Sequence, residues 1–257
     1  MMTKIVPYLS EEHIERDAAA LLAEFAQARD VVIEPPIPIE DIIEKHLKLG
    51  IEFDDTHRMF SVPRDPNGDA DILGAIFFGQ RRIVIDESLD PEENTFKVGR
   101  YRFTLAHEGG GHWRLHHHLF TSDPAQISLF SQPAPPSVVC RSSQAKQRIE
   151  WQADFYASCL LMPKNLLIAA WRARFGNINA RILKSKDRLS LPGAANDEIV
   201  SALRSYDQQR DDKALNEFVR PFAEEFEVSM VAMRIRLERI GLLHREVPRQ
   251  HSFNAAG

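Results

Sequence analysis

Five of the ten histidines in this 257-residue chain, His107, His112, His116, His117 and His118, fall within twelve residues, and three of its twelve glycines, Gly109, Gly110 and Gly111, lie among them. A uniform spread would put about half a histidine in such a window. The segment FTLAHEGGGHWRLH, residues 103–116, sets a His-Glu pair ahead of a second histidine. On a helix, two neutral imidazoles facing one way can hold Zn²⁺, and a carboxylate beside the first can take a proton from a metal-activated water. The chemistry this points to is metal-assisted hydrolysis, with His107 and His112 as ligands of one zinc ion and Glu108 as the general base.

The usual spacing for such a pair is four residues, as in HExxH, which leaves the histidines about 40° apart around a helix; five residues would leave them about 140° apart. His107 and His112 are five apart. A π-bulge absorbs one extra residue, and glycine tolerates the distorted backbone, so the three glycines predict a π turn between the two histidines. A second pairing, His112 with His116, has the ordinary spacing but puts Trp113 where the base belongs. A catalytic zinc site takes a third protein ligand and leaves one position open. The candidate is Glu150, in IEWQADFYASCLLMP. Positions 150, 153, 154 and 157 share one helical face, so small Ala153 and Ala157 would let this helix approach while Asp154 hydrogen-bonds the outer nitrogen of a ligand histidine.

At these residues the chain resembles the ImmA/IrrE-type metallopeptidases, in which an RxRFTxAHExxH helix is followed by an ExxAN/DxFAxxLLMP helix. Arg100, Arg102, Phe103, Thr104, Ala106, His107 and Glu108 match the first motif. Glu150, Ala153, Asp154, Phe155, Ala157, Leu160, Leu161, Met162 and Pro163 match the second, with small register shifts between Asp154 and Ala157. The likeness extends upstream through IVIDESL and PPIPIEDIIEKHLKLGI and downstream to FAEEFEVSMVAMRIRLERIGLL, most of residues 11–243. It implies a zincin-like fold, His107, His112 and Glu150 as zinc ligands, Glu108 as base, and cleavage of a regulatory protein such as a helix-turn-helix repressor. The departure is the extra glycine, HEGGGH in place of HExxH.

Around this pair the sequence predicts a set of supporting elements. Ile14, Ala18, Leu21, Leu22 and Phe25 recur at helical spacing after Ser10, an N-cap. Ile39 to Leu49 reads as a short helix closed by Gly50, and Gly74 to Phe78 with Arg82 to Asp86 as a β-hairpin whose edge could accept an extended substrate. A helical pattern runs from Thr95 to Leu119, with His116 to His118 expected as a solvated helix end and His116 alternatively lining the cleft, and Arg100 and Arg102 are expected to pair with nearby acids. Residues 120–143, rich in proline and serine, read as a surface loop or flap, followed by helices over Gln144 to Met162 and Asn165 to Phe175. Tyr156 is expected to fill core space. Ala223 to Leu243 has a helix-turn-helix pattern with Arg234, Arg236 and Arg239 on its second helix; packing or substrate docking is expected there ahead of DNA binding.

With 44% hydrophobic and 27% charged residues, a net charge of −5 and two cysteines, the composition excludes disorder, collagen and a disulfide framework. The longest apolar runs are far short of the roughly 20 residues that span a bilayer, and no secretory signal is evident, so a cytoplasmic location away from membranes is expected. The resulting expectation is an α+β protein: a zincin-like metallopeptidase domain over residues 1–190 with a small β-sheet and an active-site helix, a helical region over 191–245, and a tail over 246–257. The alternative reading is a non-catalytic regulator that keeps a degenerate metal site and acts through the helix-turn-helix-like region.

Overall fold

Helix α1 (Glu11–Arg29) begins where Ser10 accepts the His13 N–H, with Glu11 and Glu12 placed against the positive end of the helix dipole. Its apolar stripe, Ile14, Ala18, Leu21, Leu22 and Phe25, is buried as the spacing predicts. The computed structural model describes residues 6–64, 72–121, 138–141, 148–183 and 212–245. Among these no helix is long and apolar enough to cross a membrane.

The protein is mixed α+β. A four-stranded sheet has the order β1-β3-β2-β4, with β1 (Gly50–Asp54) parallel to β3 (Arg82–Asp86), and β2 (Ile72–Phe77) antiparallel to both β3 and β4 (Val138–Arg141). The expected hairpin is β2 and β3. It has no open edge for a substrate, because β1 covers β3 and β4 covers β2. The proline- and serine-rich stretch is likewise not all loop, since Val138–Arg141 pairs with β2; residues 122–137 lie outside the described residues. Gly50 does not close a helix but opens β1. The helix α2 (Ile39–Asp41) runs into a π turn over Ile42–His46, and Lys48, at φ +59°, makes the left-handed exit. A short helix, α3 (Thr56–Phe60), follows β1.

Three successive segments then form one helical path beneath the sheet: α4 (Val98–Leu105), a π-helical stretch over Ala106–His112, and α5 (Trp113–Thr121). The π turn expected from the glycines is present over the predicted residues. α6 (Arg148–Leu161) packs across it. The three glycines are needed for contact as well as for backbone freedom. A Cβ at Gly109 would sit 2.3 Å from Ile43 Cδ1, one at Gly110 2.9 Å from Leu160 Cδ2, and one at Gly111 2.6 Å from the Cα of Ala153. The last is a backbone atom of α6, so no rotamer change relieves it.

Polar ties hold the same layer. Arg114 on α5 donates to Asp17 and, through two nitrogens, to Glu24 on α1, while the Tyr156 hydroxyl on α6 donates to Asp17 at 2.9 Å. Tyr156 is otherwise enclosed, as expected of a core residue. Arg102 is buried, donates to the Ile37 carbonyl at 2.6 Å and lies 3.8 and 3.5 Å from the carboxylates of Glu40 and Glu227. The pairing expected for that arginine is thus structural.

The chain divides into two compact units, one of residues 1–167 with 223–229, the other of 168–222 with 230–257. The expected boundary at residue 190 and the tail over 246–257 fall outside the described residues. In the second unit Trp171 and Phe175 of α7 (Lys164–Phe175) pack with Phe218 and Phe222 of α8, which covers residues 212–225, and β5 (Arg181–Leu183) pairs in parallel with β6 (Leu243–Arg245). The helix-turn-helix pattern does not deliver a basic face. On α9 (Met230–Arg239) Arg234 and Arg236 are buried, Arg234 lying 2.5 Å from Asp212, while Val231 and Ile235 are half exposed. Only Arg239 of the three expected arginines is outward.

Gly111→Ala is expected to lower the stability of the protein by about 1–3 kcal/mol, the usual penalty for overpacking. Gly79→Ala, whose added Cβ meets nothing within 4 Å, is expected to change it by less than about 0.5 kcal/mol. Denaturant midpoints of the two variants measure the difference, and equal midpoints would mean that the approach of α6 does not depend on the bare backbone.

Candidate metal centre

A π turn closes its hydrogen bonds five residues on, so a residue and its fifth neighbour share a face as fourth neighbours do in an α-helix. His107 and His112 therefore come to one side of the helix, with ring centroids 4.6 Å apart and planes nearly perpendicular. α6 brings Glu150 between them. Its two oxygens lie 3.2 Å from His107 Nε2 and 3.7 Å from His112 Nε2. Ligand atoms about 2.0–2.2 Å from a tetrahedral ion stand about 3.3–3.6 Å from one another, and the two separations here lie within about 0.1 Å of that range. His107, Glu108 and His112 also form a buried group whose potential ligand atoms all lie within 4.8 Å of one another and could hold a metal ion. His112 Nε2 is buried and accepts or donates no hydrogen bond among the described residues, as a nitrogen directed at a cation position would be.

The outer nitrogens are both engaged. His107 Nδ1 lies 2.8 Å from Asp154 Oδ1, the contact the helical face of α6 predicts. A carboxylate oxygen accepts, so Nδ1 carries a hydrogen, and Nε2 is the nitrogen directed at Glu150. His112 Nδ1 lies 3.0 Å from Nδ1 of His116, and His116 Nε2 lies 2.8 Å from the amide oxygen of Gln152. The expectation of a solvated end from His116 to His118 fails for its first residue: His116 is 1% exposed, one turn along the same buried face as His112. His118 is exposed, and His117 stacks on Trp113. The four-residue spacing from His112 sets His116 apart from His117 and His118, but its partner, Gln152, comes from another helix.

The two carboxyls of the centre are driven in opposite directions. Burial pushes Glu108 up to about 8, against the pull of His107 and with the repulsion of Glu150 and Asp154 added. Burial also works to raise Glu150, but its closer contact, with His107, outweighs that and holds it at about 2. Both His112 and His116 are brought down to about 4 by burial, opposed chiefly by Glu150 for the first and Gln152 for the second. Neither oxygen of Glu108 has a hydrogen-bond partner among the described residues. The sheet leaves room for this side chain at Gly74 of β2, where a Cβ would meet Thr104 Cγ2 at 2.8 Å and Glu108 Cγ and Oε1 at 3.3 Å. Gly74 and Gln152 are the site-bearing residues that no motif marks.

In comparisons with known proteins, no family model matches the chain and no curated protein matches it.

Glu108 titrates near 8 in the metal-free folded protein and at the ordinary 4.5 when unfolded, so between those values the folded state holds the extra proton. The stability it contributes is present below about pH 4.5 and is lost as pH rises toward 8. Thermal unfolding of metal-free protein is therefore expected to show Glu108→Gln gaining stability over the native sequence from about pH 5 to about pH 8, by a few kcal/mol at most. A pH-independent difference would mean that Glu108 is not held neutral.

Proposed function

We propose that this protein is a zinc-dependent metalloendopeptidase with a zincin-like catalytic unit, acting on a regulatory protein. The observation that carries the reading is the convergence of His107 Nε2, His112 Nε2 and the Glu150 carboxylate around one point, with a second buried carboxyl, Glu108, beside it. Glu150 is assigned as the third ligand in preference to Glu108, because it lies against both nitrogens and is ionised, whereas Glu108 is held as the neutral acid. Zinc, when bound, supplies Lewis acidity, polarising a peptide carbonyl and acidifying a water.

The protein's own contribution is then a matter of charge and orientation. A divalent cation nearby favours the ionised form of Glu108, returning its pKa toward the range of a working base. In that state Glu108 takes a proton from the attacking water and delivers it to the departing amine nitrogen. Asp154 holds His107 in the tautomer whose Nε2 can ligate. The resemblance to the ImmA/IrrE-type peptidases supports a helix-turn-helix repressor as the substrate class, and the cytoplasm as the setting.

The test has two parts. Protein supplemented with zinc is expected to retain about one ion per chain by elemental analysis, and His107→Ala or Glu150→Ala to lose it. Incubation with candidate helix-turn-helix repressors and with a proteome-derived peptide mixture, read by mass spectrometry, is expected to reveal cleavage. Glu108→Gln should keep the metal and lower the rate by about 10²–10⁴-fold, the usual contribution of a general base. A native protein that retains no zinc would overturn the proposal, as would a Glu108→Gln variant that binds zinc and cleaves as fast as the native protein.

A further inference from the structure

A chain of four groups runs from the metal centre to the backbone ahead of α1: His112, His116, Gln152 and the carbonyl of Pro7. All three side chains are fully or almost fully buried, with exposures of 0, 1 and 0%. The direction of each hydrogen bond follows from the far end. The Pro7 carbonyl can only accept, so the atom 2.8 Å from it, Gln152 Nε2, donates. That fixes the amide, and the oxygen turned to His116 can only accept in its turn. His116 Nε2, 2.8 Å from that oxygen, therefore carries a hydrogen. His116 is 1% exposed and its two ring nitrogens face an amide oxygen and another imidazole, with no carboxylate in contact among the described residues to pair a charge, so the ring carries a single hydrogen, on Nε2, and its Nδ1 accepts. The Nδ1 of His112, 3.0 Å away, must then be the donor, which leaves His112 Nε2 with a bare lone pair.

We infer that His116 and Gln152 are positioning residues that hold His112 in its Nδ1–H tautomer, so that the nitrogen facing Glu150 is the one able to bind a metal ion. This deepens the proposed metallopeptidase reading and rests on it for the metal. The tautomer itself does not. The two histidine ligands are thereby oriented by different means: His107 by a carboxylate on α6, and His112 by a second histidine whose own tautomer is imposed by an amide and a backbone carbonyl. The arrangement also makes Pro7 part of the support of the centre. An isolated imidazole in water favours the opposite tautomer only slightly, so a single well-aligned hydrogen bond is enough to decide it.

Two-bond ¹H–¹⁵N correlation of the ring nitrogens in metal-free protein reads the tautomers directly. The expected result is a protonated Nδ1 and bare Nε2 on His112, and the reverse on His116. In His116→Leu, and independently in Gln152→Leu, the His112 signals should move toward a mixture of tautomers. Zinc affinity, measured by competition with a chromophoric chelator, should fall about 10–100-fold, as for other residues that orient a ligand. His116→Asn, whose Oδ1 can stand where Nδ1 stood, should recover much of that loss, which a simple packing role would not produce. His112 protonated at Nε2 in the native protein would overturn the inference, as would tautomer and affinity unmoved in both leucine variants. If the tautomers are as stated but the native protein binds no zinc, the metallopeptidase reading fails and the positioning chain stands. If one variant does not fold, as judged by circular dichroism, the other carries the test.

Discussion

The centre depends on one close contact between two backbones. At Gly111 the π turn lies against the Ala153 backbone so closely that a single added carbon would sit 2.6 Å from its Cα. That approach sets the depth at which α6 crosses, and with it the distance of Glu150 from both histidines. Three glycines within a helical segment cost roughly 1 kcal/mol each relative to alanine. The cost is offset by packing on three sides, Gly109 against Ile43 and Ile83, Gly110 against Leu160 and Tyr156, and Gly111 against Ala153. The tie from Arg114 and Tyr156 to Asp17 then clamps α5, α6 and α1 around the same point.

From that contact follows the electrostatic character of the site. Two carboxyls in one dry pocket would repel if both were charged, and the surroundings separate them. Glu150 faces two imidazole nitrogens and is ionised. Glu108 faces β2 at Gly74, without hydrogen-bond partners among the described residues, and is neutral in the metal-free protein. Such a separation of titration between paired acids is the usual physical mark of divided roles, here a ligand and a base in the proposed chemistry. The outer nitrogen of His107 is bound from α6 directly and that of His112 through His116, so one helix supplies Glu150, Gln152 and Asp154 at successive even positions of a single segment.

Much of this is legible in local pattern, and the exceptions share a cause. The α1 stripe, the β2–β3 hairpin, the π turn and the Asp154 contact follow from spacing, because each is decided within one element or on one helical face. β1 and β4 are not legible in that way. Neither has a strong pattern of its own, and each becomes a strand by pairing with a stronger neighbour. The arginines of α9 show the same limit: their spacing is that of a basic helix, but Asp212, 22 positions away, takes Arg234 inward.

Residue chemistry and helical period, which act over a few positions, are enough to specify the candidate ligand types, the need for a π turn in HEGGGH, and the helical face that carries Glu150 and Asp154. Long-range packing was needed to show that the hairpin has no open edge, that His116 is buried instead of solvated, and that Gln152 and the Pro7 carbonyl complete its hydrogen bonds. Burial, strand order and the partner of a buried polar atom depend on segments that are distant along the chain, and no local periodicity encodes which of them will meet.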